Sequence, residues 1–130
     1  MSKITQAKTI KRRDGLKIAV TLKAGETIYQ GGLVMLDGGE AINAKTVANK
    51  TTIGVALTYG TAGNVVEVET GIFAFENSSS SDCITKAEIG TDAFVVDNQT
   101  VAKTNGSSSR SVAGRVIDVD GDGVWVKINK

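Results

Sequence analysis

The sequence has 130 residues, in which 15 lysines and arginines nearly balance 14 aspartates and glutamates. This length suits one domain with one core, and the even charge balance argues against a nucleic-acid partner. Histidine is absent and Cys83 is the single cysteine, so the sequence excludes Ser-His-Asp and Cys-His catalytic groups and an internal disulfide. We expect a protein that is not an enzyme, needs no cofactor and is made in a reducing cytoplasm.

The positive charge is concentrated near the start of the chain. Residues 1–25 carry seven lysines and arginines and a single acid. We expect residues 1–15 to form a flexible basic arm and residues 16–130 to form a single β domain. The arm either docks onto an acidic surface or a neighbouring copy, or is a solvated terminus. The candidate contact residues on the first interpretation are Lys8, Lys11, Arg12, Arg13 and Lys17.

Apolar runs in this sequence are short. The longest, such as residues 33–36, have four residues, whereas a membrane span needs roughly 20. We therefore expect neither a membrane-inserted nor an exported protein.

Short segments with alternating or β-branched apolar residues, separated by glycine-containing turns, predict an all-β fold. The expected architecture is a compact β-sandwich or a partly open β-barrel. A short helix of about two turns is also predicted, beginning at Ser81 or Asp82 and ending at Gly90. In chain order, the predicted strands are Leu16–Leu22, Gly32–Leu36, Thr52–Thr58, Asn64–Glu69, Gly71–Glu76, Ala93–Val96, Ser111–Val119 and Val124–Asn129.

The run from Asp118 to Gly123 has the acid spacing that opens a helix-loop-helix calcium site. However, the position of the bidentate glutamate falls on Asn129, and strand-forming residues flank the run instead of helices. Asp-Gly is also favoured in tight hairpin turns. We therefore interpret Asp120, Gly121, Asp122 and Gly123 as a hairpin turn, and weak cation binding by the three aspartates stays open as the alternative.

This hairpin predicts which side chains face the core. Alternation places Ile117 and Val119 on the same face as the apolar residues of the last strand, with Arg115 as an exception at the far end, near solvent or a partner. Trp125 is predicted on the opposite face beside Val116, either as an aromatic platform for a sugar or base or, as we favour, as cover for the sheet. The remaining aromatic residues, Tyr29 and Tyr59 among them, are scattered along the sequence.

Four segments together resemble a known family. The sequence reads AGETIYQGGLVMLDGG at 24–39, TTIGVALTYGTAGNVVEVETGIFAFE at 51–76, ITKAEIGTDAFVVDNQTVAKT at 84–104 and VAGRVIDVDGDGVWVKI at 112–128. In glycine placement and strand pattern the chain is similar to the small head decoration, or capsid cement, proteins of tailed bacteriophages, including those of Mu-like phages and prophages.

This resemblance implies a structural virion protein. Such proteins are mostly β, often trimeric, and bridge adjacent major-capsid subunits on the outer surface of the shell. It therefore implies a major capsid protein as partner, a homotrimer, and no catalytic residue. Two alternatives stay open: a separate ligand- or carbohydrate-binding β module, and a component of the phage tail or baseplate.

Overall fold

The computed structural model describes residues 6–7, 16–61 and 63–128. This part of the chain is all-β, as the sequence predicts, and it holds twelve strands. They are β1 (Lys17–Thr21), β2 (Thr27–Ile28), β3 (Leu33–Asp37), β4 (Glu40–Asn43), β5 (Thr51–Ala56), β6 (Gly60–Thr61), β7 (Val65–Glu69), β8 (Ile72–Asn77), β9 (Asp92–Val95), β10 (Thr100–Ala102), β11 (Val112–Asp120) and β12 (Gly123–Ile128).

Each of the eight predicted strands is present, with boundaries shifted by a few residues. The sequence did not predict β2, β4, β6 or β10, which have only two to four residues each. Segments this short span too few residues for alternation to be visible. Their pairing is decided by partners distant in the chain, as in the ladder between β2 and β6.

The strands divide into two main layers. The first half of the chain forms a five-stranded sheet in the order β1-β7-β5-β3-β4, with β2 and β6 as a separate ribbon. The second half forms a closed barrel in the order β10-β8-β12-β11-β9. Closure leaves the barrel without an exposed sheet edge.

Strand β3 lies between two hydrophobic clusters and contributes to both. Leu33 and Met35 pack with the barrel interior, whereas Val34 packs with Val66 and Val68 on the other side of the sheet. A strand that is buried on both faces requires a continuous apolar run rather than alternation. This explains the four apolar residues at 33–36.

The predicted helix between Ser81 and Gly90 is instead two separate 3-10 turns, Ser80–Asp82 and Lys86–Glu88. Ile84, between them, is buried. Its N–H donates to the side-chain oxygen of Asn77 at 2.9 Å, and its C=O accepts from the Asn77 amide nitrogen at 2.8 Å. These bonds hold the backbone of Ile84 outside the turns, so a continuous helix cannot form.

The last hairpin contains a β-bulge, and some side chains of β11 therefore lie on a different face of the sheet from the one predicted. The register shifts between Val116 and Asp118, so Ile117 is the extra residue on β11. Val116 is consequently buried opposite Val126, and not beside Trp125 as predicted. Arg115 is exposed, as predicted, but it pairs with Lys127 and lies on the face opposite to Val116 and Val126. Because a bulge inserts one extra residue, the side chains before Ile117 lie on the face opposite to the one that strict alternation predicts. The sequence pattern did not indicate a bulge.

Candidate functional site

The basic residues predicted to contact a partner lie mostly outside the described residues. Only Lys17 falls within them, and it is the exposed first residue of β1. The remaining four are Lys8, Lys11, Arg12 and Arg13.

Strand β1 is an exposed sheet edge. Among the strands of the described chain, β1 forms a ladder only with β7, through the register Lys17↔Glu69 to Thr21↔Val65. Four of its five residues are exposed, including Ile18 at 43%. No other strand of the described residues pairs with its outer side, and Lys17 is the type of residue that limits unwanted pairing at such an edge.

An apolar groove lies where the basic segment joins β1. We call it the arm-root groove. It has a volume of about 480 Å³, and Leu16 and Ile72 in its wall are 60% and 49% exposed. The Leu16 carbonyl accepts from Thr70 N–H at 3.0 Å, which fixes this wall to the loop before β8. The lining residues are Leu16, Thr70, Gly71, Ile72, Lys127 and Ile128.

The closing hairpin turns at Gly121 and Asp122, between the paired residues Asp120 and Gly123. Asp120 Oδ1 accepts from Asp122 N–H and from the Trp125 indole N–H, both at 2.9 Å. These bonds tie the carboxylate of Asp120 to its own turn.

Asp118 is held by a different partner. Lys86 Nζ donates to Asp118 Oδ1 at 2.8 Å, and this bond, with a second from Val119 N–H, lowers the pKa of the Asp118 carboxyl. Within residues 6–7, 16–61 and 63–128, no three carboxylate or thiol groups lie close enough together to hold a metal ion.

Asp37, at the end of β3, is the most strongly perturbed carboxylate. Lys23 and Lys50 donate to its two oxygens at 2.6 Å and 2.8 Å. The two hydrogen bonds lower the pKa of Asp37 to about 2. The cluster joins the segment after β1 to the β3–β4 turn and the start of β5, so its role is structural.

Two tyrosines that the sequence separates by 30 positions meet on the surface. The ribbon pairs Ile28 with Gly60, so the next residues, Tyr29 and Tyr59, lie opposite each other. Their ring centroids are 5.5 Å apart with an interplanar angle of 57°. We call them the tyrosine pair. In the sequence these two residues are far apart and form no recognisable pair, and only the β2–β6 register brings them together.

A small polar cleft begins at Tyr29, and we call it the amide cleft. It has a volume of about 190 Å³. Its two walls are turns: Gly32 N–H donates to the Tyr29 carbonyl at 3.1 Å, and Gln99 N–H donates to Asp97 Oδ1 at 2.9 Å. The lining residues are Tyr29, Gln30, Gly31, Gly32, Asn98 and Gln99.

Comparisons with protein-family models, with curated proteins and with solved structures found no match for this chain. In the residues that the structure describes, no helix is both long and apolar enough to cross a membrane.

Proposed function

We propose that this protein is a structural virion protein that binds the outer surface of a phage capsid and stabilises it by bridging neighbouring major-capsid subunits. The proposal rests on the family resemblance of the sequence. It places the protein on the capsid surface as a homotrimer, after synthesis in the host cytoplasm.

The observation that carries this proposal is the exposed apolar surface beside the basic segment. Leu16, Ile18 and Ile72 are each more than 40% exposed, and β1 forms a ladder with only one strand of the described chain, β7. Burial of apolar area drives protein association, and an open edge can accept a strand from a partner. A basic segment that leads directly into this surface adds attraction to an acidic shell.

A cement protein gains its effect from several weak contacts. A trimer that is tied to several capsid subunits converts each further contact into an intramolecular event at high local concentration. The groove and the strand edge therefore need only modest individual affinity. On this mechanism neither a cofactor nor a catalytic group takes part.

The direct test measures occupancy on shells assembled from the major capsid protein of the same phage genome. We expect the wild-type protein to bind these shells and to raise their resistance to heat. A second variant reverses charge at Lys11, Arg12 and Arg13, and we expect its occupancy to fall while its circular dichroism stays unchanged. If the wild-type protein leaves the shells undecorated at saturating concentration, the proposed function is wrong.

A matched control separates local contacts from total charge. It reverses three exposed basic residues on the folded body, so the change in net charge is equal: Lys45, Lys103 and Arg115. Equal loss of occupancy in both variants would mean that only net charge matters, and the arm contact would be rejected. Light scattering tests the trimer, and a stable monomer would contradict it.

A further inference from the structure

We propose that the tyrosine pair and the amide cleft together bind one sugar unit of a neutral glycan. This site is separate from the arm-root groove and does not depend on the proposed function.

Both rings of the tyrosine pair are exposed. Tyr29 and Tyr59 are 60% and 58% exposed, whereas Phe75 is buried and Phe73 packs against the barrel core. The face of an aromatic ring is apolar and carries partial negative charge. It therefore favours contact with the C–H groups on one side of a pyranose ring.

The lining of the amide cleft is rich in amide side chains. Gln30, Asn98 and Gln99 each offer an amide with both donors and an acceptor. A sugar hydroxyl is likewise both donor and acceptor, so neighbouring hydroxyls can each find a partner here. No charged side chain is among the residues that line this cleft, which favours a neutral ligand over a phosphate or a nucleic acid.

Backbone hydrogen bonds fix both walls of the cleft. Leu33 N–H donates to the Asn98 carbonyl at 2.8 Å, and this bond joins the turn at 97–100 to the start of β3. Gly31 adopts φ +90° within the opposite turn, a conformation that glycine adopts readily. The backbone of both walls is consequently fixed before a ligand arrives, which lowers the entropy lost on binding.

The size of the cleft limits the ligand further. Its volume of about 190 Å³ is below the range of roughly 300–1,000 Å³ that is typical of pockets for whole small molecules. The cleft therefore accommodates a single unit, and the tyrosine rings extend the contact outside it. One sugar unit of a longer glycan fits within the cleft, and the glycan can also contact the tyrosine rings outside it.

The test begins with an array of neutral oligosaccharides. The glycan that binds best is then titrated into the ¹⁵N-labelled full-length protein and followed by NMR. We expect shifts in the side-chain amide signals of Gln30, Asn98 and Gln99. If no neutral glycan on the array binds, or if the best one leaves these signals unmoved at about 10 mM, a concentration that detects even weak sites, the proposal is wrong.

Variants of the two parts of the site make the test specific. We expect Tyr59→Ala to weaken binding roughly tenfold or more, while Tyr59→Phe, which keeps the ring, stays within about threefold. Gln99→Leu removes the amide but leaves the backbone bond to Asp97, and it should also weaken binding. Ile89→Ala changes an exposed apolar residue outside the cleft and should have no effect.

Tyrosine is also common at protein interfaces, so the competing occupant is a protein. Tyr59→Ala is therefore measured for shell occupancy and for oligomer mass as well. If it reduces either one while glycan affinity is unchanged or absent, the tyrosine pair is a protein contact and the glycan site is rejected.

Discussion

Asn77 connects the end of β8 to the segment between the two 3-10 turns. The loss of folding stability on its substitution can be estimated from the hydrogen bonds that it makes. Its amide donates to Ile84 C=O at 2.8 Å and accepts from Ile84 N–H at 2.9 Å. Asn77→Ala removes both partners at once. Ile84 is only 1% exposed, so water does not readily replace them.

The expected loss follows from the Ile84 N–H, which is left without its partner, and from the Ile84 C=O, which keeps only a bond from the Cys83 thiol at 3.7 Å. A buried polar group that loses its hydrogen bond costs about 1–3 kcal/mol. Two groups on one residue are not independent, so we expect the free energy of unfolding to fall by about 2–4 kcal/mol. For a chain of 130 residues this corresponds to a fall in melting temperature of roughly 10 °C.

Urea unfolding provides the measurement, with the fluorescence of Trp125 and circular dichroism as two probes. Asn64→Ala is the matched control, because Asn64 is exposed and, among the described residues, its side chain bonds only to the Thr61 hydroxyl, at 3.0 Å. The control should change stability by less than about 0.5 kcal/mol. If Asn77→Ala were no more destabilising than Asn64→Ala, the idea that Asn77 anchors Ile84 would be refuted.

Two further predictions concern backbone crowding and pH. A Cβ on Gly114 would overlap the carbonyl oxygen of Lys127 on the paired strand, whereas one on Gly121 meets nothing within 4 Å. Thermal unfolding should therefore show Gly114→Ala losing more than about 3 kcal/mol and Gly121→Ala changing little. The pKa of Asp37 falls from 3.8 to about 2 through its two lysine partners, so its contribution to stability is present above pH 3.8 and is lost as the pH falls towards 2. The difference in melting temperature between wild type and Asp37→Asn should accordingly shrink over that range, and a constant difference would contradict the ion-pair explanation.

The strands were predictable wherever local alternation reports burial. Val66 and Val68 alternate with acids, and both valines are buried in β7. The apolar run of β3 was also visible, although its two-sided burial was not. The turn of the last hairpin was also predictable, because the Asp-Gly dipeptide and the strand-forming residues that flank it lie within a few positions of one another in the chain.

Only part of the candidate contact surface could be predicted from the sequence. The uneven charge pointed to the first 25 residues, but of the proposed contacts only Lys17 lies in the described chain. The arm-root groove could not be predicted, because Leu16, Ile72 and Ile128 come from three separate strands or their ends. Their proximity follows from β1 pairing with β7 and from β12 pairing with β8.

The sequence by itself determined the all-β class, the positions of eight strands and the lack of histidine-based chemistry, because these depend on composition and on neighbours two residues apart. The tertiary structure alone decided the closure of the barrel, the bulge at Ile117 and the meeting of Tyr29 with Tyr59. Each of these depends on the register between strands that are distant in the chain. The packing of whole layers fixes this register, so it cannot be predicted from any short segment of the sequence.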